Sequence, residues 1–109
     1  MTEIRELQKK VNTFVKKNNL STNPDILMID LTSEIGELSK EVIKSTDYGR
    51  HKNRKITSET EYELGDVLFC LIRLAKEMNV DLNVALNKVL KKYEERAKKN
   101  KAKRIGSGR

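Results

Sequence analysis

Folding back on itself requires residues that permit a turn, and this chain has few: one Pro and five Gly serve 109 residues. Three of those Gly stand at positions 49, 106 and 108, so most of the length carries no turn signal at all. Sandwiches and barrels need short strands punctuated every 8–12 residues or so, and they are excluded on that ground. What remains is an all-α domain. Its residues are 37% hydrophobic and 36% charged, which predicts one small domain with a small core.

Apolar spacing divides the chain into four helices. The first is predicted from Thr2 to Lys17, where Ile4, Leu7, Val11, Phe14 and Val15 form one stripe and Glu3, Lys9, Lys10 and Lys16 stay outside. Asn18, Asn19, Ser21 and Thr22 break the pattern. Asn23 then caps a second helix with Pro24 in its first turn, and Ile26, Leu27, Leu31, Ile35, Leu38 and Val42 are expected to face a core. From Asp47 to Lys55 the sequence is polar, basic and aperiodic around Gly49, a loop. Ser58 with Glu61 reads as a capping box opening a third helix, on which Leu64, Val67, Leu68, Leu71, Ile72 and Ala75 recur while Phe69, Cys70 and Leu74 widen the apolar arc. A helix apolar nearly all round needs cover on several sides, and the arc from Val67 to Ala75 predicts cover by a second copy of the chain. Asp81 caps a fourth helix, with Leu82, Leu86, Val89, Leu90, Tyr93 and Ala97 expected inward until the pattern stops near residue 98. The expected organisation is a four-helix body over residues 1–97, completed by oligomerisation, with a basic flexible tail over 98–109.

The net charge of +7 belongs to that end: residues 91–109 hold nine Lys or Arg against Glu94 and Glu95, while the other 90 residues balance 14 basic with 14 acidic groups. A neutral body with a basic end suits a polyanion or the phosphates of one small ligand. Nucleic acid is the weaker of the two, since the tail has no interleaved aromatics and no turn-helix pattern precedes it. A helical nucleic-acid-binding module acting through the tail stands as the alternative function, and a ligand-free oligomerisation domain as a third. Cys70 has no intrachain partner, and neither a charged-then-apolar leader nor a run of about 18 apolar residues is seen, so a cytoplasmic address away from the membrane is expected.

Usual nucleophile sets are missing. His51 is the single His and falls in the loop, Cys70 lies in an apolar run as a core residue does, and no glycine-rich phosphate loop is present. Acids are left to carry the chemistry. Glu34-Ile35-Gly36-Glu37-Leu38 and Glu63-Leu64-Gly65-Asp66-Val67 repeat one pattern: two carboxylates at i and i+3 on one helix face, with an apolar residue and a Gly between them. Such acid pairs alone are common, and Glu3 with Glu6 is another. Gly inside a helix costs about 1 kcal/mol against Ala, so two of them at matching positions ask for a cause. Closely approaching helix backbones would supply it and would gather four carboxylates. Four clustered carboxylates repel unless divalent cations neutralise them, and hard oxygen ligands in this number select Mg²⁺ or Mn²⁺ over zinc. The plain alternative is a solvated acidic stripe extended by Asp30 and Glu41, which leaves the glycines without a reason.

Glu34-x-x-Glu37, 25 intervening residues, then Glu63-x-x-Asp66 resembles the ExxE…ExxD signature of the MazG-like all-α nucleoside triphosphate pyrophosphohydrolases, a superfamily that includes dimeric dUTPases and dCTPases. The resemblance extends over roughly residues 4–97. It implies a protomer that dimerises or forms a dimer of dimers, Mg²⁺ held by Glu34, Glu37, Glu63 and Asp66, and hydrolysis of an NTP or dNTP to the monophosphate and pyrophosphate. Metal ions suit this reaction by bridging phosphate oxygens, acidifying an attacking water and neutralising the leaving group. Relatives often carry a further Glu just before the first motif Glu, where this chain has Ser33; Glu41 or a metal-bound hydroxide is then the candidate general base. Phosphate binding is expected from Lys88, Lys92 and Arg96, spaced i, i+4 and i+8, of which Lys92 and Arg96 resemble basic residues of the family. Arg50, Lys52, Arg54 and Lys55, or the tail from Ile105 to Arg109, are further candidates to close on a triphosphate. For the base, Phe14, Tyr48, Phe69 and Tyr93 are equally open.

Overall fold

The computed structural model describes residues 3–51 and 57–106, with side chains through Lys101. Among these residues it contains four helices and no strand: α1 (Ile4–Lys17), α2 (Pro24–Lys44), α3 (Ser58–Glu77) and α4 (Leu82–Gly106). None is long and apolar enough to cross a membrane.

Local chemistry explains most boundaries. The Asn23 side chain accepts from the Asp25 N–H at 2.9 Å, and Pro24 fills the first helical position. Asp81 does the same for α4, its Oδ1 accepting from the N–H groups of Asn83 at 2.8 Å and Val84 at 3.3 Å. At α3 the expected box is displaced by one residue. Thr57 is the cap and accepts from the Thr60 N–H at 3.2 Å, so Ser58 is already helical and binds Glu59 instead. Two helices close with paired reverse hydrogen bonds in place of a glycine. After α1, Leu20 N–H donates to the Val15 carbonyl and Asn19 N–H to that of Lys16; after α3, Val80 donates to Ala75 and Asn79 to Lys76. Both closures need a left-handed residue, and Asn19 (φ 51°) and Asn79 (φ 55°) supply it.

The α2–α3 pair is the centre of the packing, and α1 lies against α3. Leu27, Leu31, Cys70, Ile72 and Ala75 are the buried apolar residues. Phe14 meets Phe69 edge to face, with centroids 6.1 Å apart. The start of α4 is held to α1 by Arg5 Nε on Asp81 Oδ2 at 2.9 Å, and by Gln8, whose side chain donates to the Val80 carbonyl and accepts from the Leu82 N–H.

Several residues expected inward are not. Ile26, Ile35 and Val42 of α2 are exposed, as are Leu64, Leu68 and Leu71 of α3. The arc from Val67 to Ala75 divides: Cys70, Ile72 and Ala75 are covered within the chain, while Leu68 and Leu71 remain open. On α4 the inward set fails almost wholly. Leu86, Val89, Leu90 and Tyr93 are 37 to 53% exposed, because among the described residues α4 packs chiefly, and only slightly, on α1. It also continues to Gly106, past residue 98, where the apolar pattern ends. Lys, Arg and Ala are strong helix formers, and they sustain backbone helix where no side is buried.

Candidate active site

On α2 the residues least exposed to water are Leu27, Leu31, Glu34, Leu38 and Glu41, one stripe at i, i+4 and i+7 spacing. On α3 the corresponding stripe is Thr60, Glu63, Val67, Cys70 and Leu74. Each helix therefore substitutes a glutamate for an apolar residue at a register its core face uses, and the two carboxylates meet between the helices. Asp66 joins them one turn beyond Glu63. Oxygens of Glu34, Glu63 and Asp66 all lie within 4.8 Å of one another. Glu37 stands outside this group on the exposed side of α2, though its charge acts on Glu63.

The electrostatics are those of a crowded anionic site. Burial raises the Glu63 carboxyl above its ordinary value, and the charges of Glu34 and Asp66, a hydrogen bond with Glu34 and the charge of Glu37 raise it further. Glu63 Oε2 is buried and has no hydrogen-bond partner. An unpartnered buried carboxylate oxygen facing two further carboxylates is costly unless a cation completes it. The donor set is entirely hard oxygen, so these residues fit a divalent cation. Glu41 is half-buried two turns further along the same stripe of α2, with Lys44 Nζ at 3.8 Å from its carboxylate.

Close backbone approach does not explain the paired glycines. A Cβ built on Gly36 or Gly65 would meet nothing within 4 Å. Gly65 instead lies on a cleft of about 530 Å³ lined with Ser58, Glu61, Tyr62 and Asp66. Asp66 belongs to both the cleft and the acid cluster, so the two adjoin. A separate cavity of about 400 Å³, lined in part by Asn12, Lys16, Leu20 and Lys76, involves none of the acids. Tyr62 is absent from the expected base-binding set, although it directly precedes Glu63. Exposed at 72%, it is legible as a site residue only once the cleft is seen.

Lys88, Lys92 and Arg96 are all exposed on α4, the last two flanking the Tyr93 ring at 5.1 and 5.8 Å. Among the described residues this helix packs chiefly on α1, and that packing does not bring the basic stripe to the acids. Arg50 lies 3.7 Å from Asp47. Lys52, Arg54 and Lys55 fall outside the described residues, as do the side chains from Ile105 to Arg109. His51 is exposed in its loop, and Cys70 is buried and free, its thiol pushed up by burial and by the nearby charges of Glu34 and Asp30. A thiol so placed is a core residue, not a nucleophile.

The fold is all-α, and its acid cluster is assembled from carboxylates of two neighbouring helices. Residues 22–100 match the MazG nucleotide pyrophosphohydrolase domain, and the chain belongs to that family. It is 35% identical to the protein YpjD of Bacillus subtilis strain 168, over 87% of this chain and 86% of that one. A stretch of 48 residues is 44% identical to the nucleoside triphosphate pyrophosphohydrolase/pyrophosphatase MazG of Thermotoga maritima, covering 44% of this chain and 19% of that protein. Among solved structures, the Bacillus-conserved MazG protein, a nucleotide pyrophosphohydrolase, superposes with a TM-score of 0.71 at 34% identity over 85% of this chain and 90% of its own. The putative pyrophosphatase YpjD from B. subtilis gives 0.70 at 30% identity, over 85% and 94%.

Proposed function

We propose that this protein hydrolyses a nucleoside or deoxynucleoside triphosphate to the monophosphate and pyrophosphate, with Mg²⁺ or Mn²⁺ as cofactor and a role in clearing the nucleotide pool. The observation that carries the reading is the buried, unpartnered Oε2 of Glu63 inside a cluster with Glu34 and Asp66. Glu34, Glu37, Glu63 and Asp66 would hold the cation. When bound, the cation supplies charge neutralisation for the triphosphate and lowers the pKa of an attacking water.

The chain's own residues do the remaining work. Packing of α2 on α3 fixes Glu34 and Glu63 before any ligand arrives, so little reorganisation is needed at the moment of reaction. Glu41, half-buried in the same stripe as Glu34, is the candidate to accept a proton from the water. Lys88, Lys92 and Arg96 would hold phosphate oxygens, and because this chain's contacts leave them away from the acids, they would serve the site of a second copy. The exposed Leu64, Leu68 and Leu71 supply an apolar stripe for that copy, making a homodimer the minimum assembly and a homotetramer an extension of it.

A panel of NTPs and dNTPs with Mg²⁺, read by pyrophosphate release, tests the proposal. Attack at the α-phosphorus gives pyrophosphate and a monophosphate. First products of orthophosphate and a diphosphate would overturn it.

A further inference from the structure

We infer that the cleft beside the acids receives the nucleoside of the substrate, with its base stacked on Tyr62, lying over Gly65 and read at its edge by Glu61. The inference rests on the proposed reaction for its phosphate end and goes beyond it in naming the base class: one with an exocyclic amino group, as in cytosine, adenine or guanine.

The placement follows from helix geometry. Glu61 and Gly65 are one turn apart, as are Tyr62 and Asp66, so the four residues form a patch that leads from Asp66 across Gly65 to the side chains of Glu61 and Tyr62. A nucleotide has the same order, phosphates then sugar then base. The volume of about 530 Å³ is in the range that small-molecule sites use. Gly65 offers bare helix backbone at the centre of the patch, in open space where the fold would accept Ala. Tyr62 is 72% exposed and makes no ring or cation contact among the described residues, whereas a ring beside a nucleotide-sized cleft is a stacking platform for any base.

Discrimination comes from Glu61. Its carboxylate can only accept hydrogen bonds, and no ion pair occupies it among the described residues. Exocyclic amino groups donate to such an oxygen, as cytosine N4 does to acidic side chains. Uracil and thymine present carbonyl oxygens on both sides of one ring N–H and meet the carboxylate with repulsion.

The test uses the full chain and two readouts. With no Trp and three Tyr, the protein's emission comes from tyrosine, so titration with cytidine 5′-monophosphate reports a base stacking on Tyr62 by quenching. Most of the quench should vanish in Tyr62→Phe, because the emitting ring is gone, and Tyr62→Ala should raise KM about ten-fold across bases. Glu61→Gln should narrow the ratio of kcat/KM between CTP and UTP by about ten-fold, since an amide both donates and accepts. Gly65→Ala should raise the melting temperature, by helix propensity, and weaken monophosphate binding at the same time. Unchanged quenching in Tyr62→Phe, an unchanged base ratio in Glu61→Gln, or Gly65→Ala that alters self-association with binding intact would each overturn the assignment. Wild-type protein that quenches normally but releases no pyrophosphate from any triphosphate would sink the proposed reaction and leave the cleft assignment standing.

Discussion

Leu68→Ala puts the open face of α3 to the test. Leu64, Leu68 and Leu71 share one stripe and are 54, 42 and 39% exposed, so together they show water somewhat more than one whole leucine side chain. Burying a leucine fully contributes about 1.5–3 kcal/mol, and covering this stripe is therefore worth about 2–4 kcal/mol for each chain. The share of Leu68 is about 0.6–1.3 kcal/mol. In a two-fold symmetric contact the loss counts twice, which weakens the dissociation constant by roughly ten- to sixty-fold. Sedimentation velocity over a dilution series from micromolar downward measures this directly. Leu27→Ala is the control, because Leu27 is 1% exposed and lies between α2 and its neighbours: it should cost about 3 kcal/mol of folding stability without moving the association midpoint of the folded chain. Wild-type chain that sediments as a monomer at micromolar concentration, or Leu68→Ala that associates as tightly as wild type, would refute the reasoning.

Glu37→Gln and Asp66→Asn should each lower turnover by orders of magnitude and lose most of the thermal stabilisation by Mg²⁺, whereas Glu3→Gln should keep both; melting curves with and without the ion decide, and equal responses in all variants would return these acids to ordinary surface residues. Burial alone would raise the Asp81 carboxyl, but hydrogen bonds from Arg5, Val84 and Asn83 and the charge of Arg5 outweigh it and hold the group below its ordinary value. A lowered folded value means stability present above the usual carboxylate range and lost as pH falls through it, so the deficit of Asp81→Asn near neutrality should vanish in acid, as denaturant titrations at a series of pH values would show. Asn79→Ala should destabilise by about 1 kcal/mol and Asn79→Gly should not, as chemical denaturation would register, since only Ala is penalised at φ 55°.

What sequence could deliver here was the identity of the elements and the convergence of their acids. Asn23-Pro24 and Asp81 are self-contained signals whose chemistry involves only the next few residues, and both boundaries fall where they predict. Meeting of Glu34 with Glu63 was legible from the i, i+3 acid pair repeated on two helices, although the close backbone approach inferred from the glycines is not what gathers them. Thr57 escaped since Thr57-Ser58 offers two adjacent hydroxyls, and Glu61 made the wrong one look favoured. Periodicity says which side of a helix is apolar but not what covers it, which is why Leu86 and Leu90 looked like core and Ile35 like an interior residue. The glycines asked a sound question that packing within one chain does not answer. Tyr62 was invisible because a single aromatic on a polar face has no pattern until a cleft gives it one.

The isolation of α4 has a consequence for how the molecule breathes. From Leu86 to Lys101 every residue of α4 is exposed, and a segment of this kind opens by itself, at a small fraction of the free energy that unfolds the whole. Its amide hydrogens should exchange with solvent long before those of Leu31 or Ile72. Lys88, Lys92 and Arg96 ride on that segment, so their spacing is only as fixed as the helix is closed. Any surface that docks against α4 then arrests the opening and fixes three cations in one act. Affinity for a polyphosphate would rise and fall with the docked fraction, and protein concentration itself becomes a control on the enzyme.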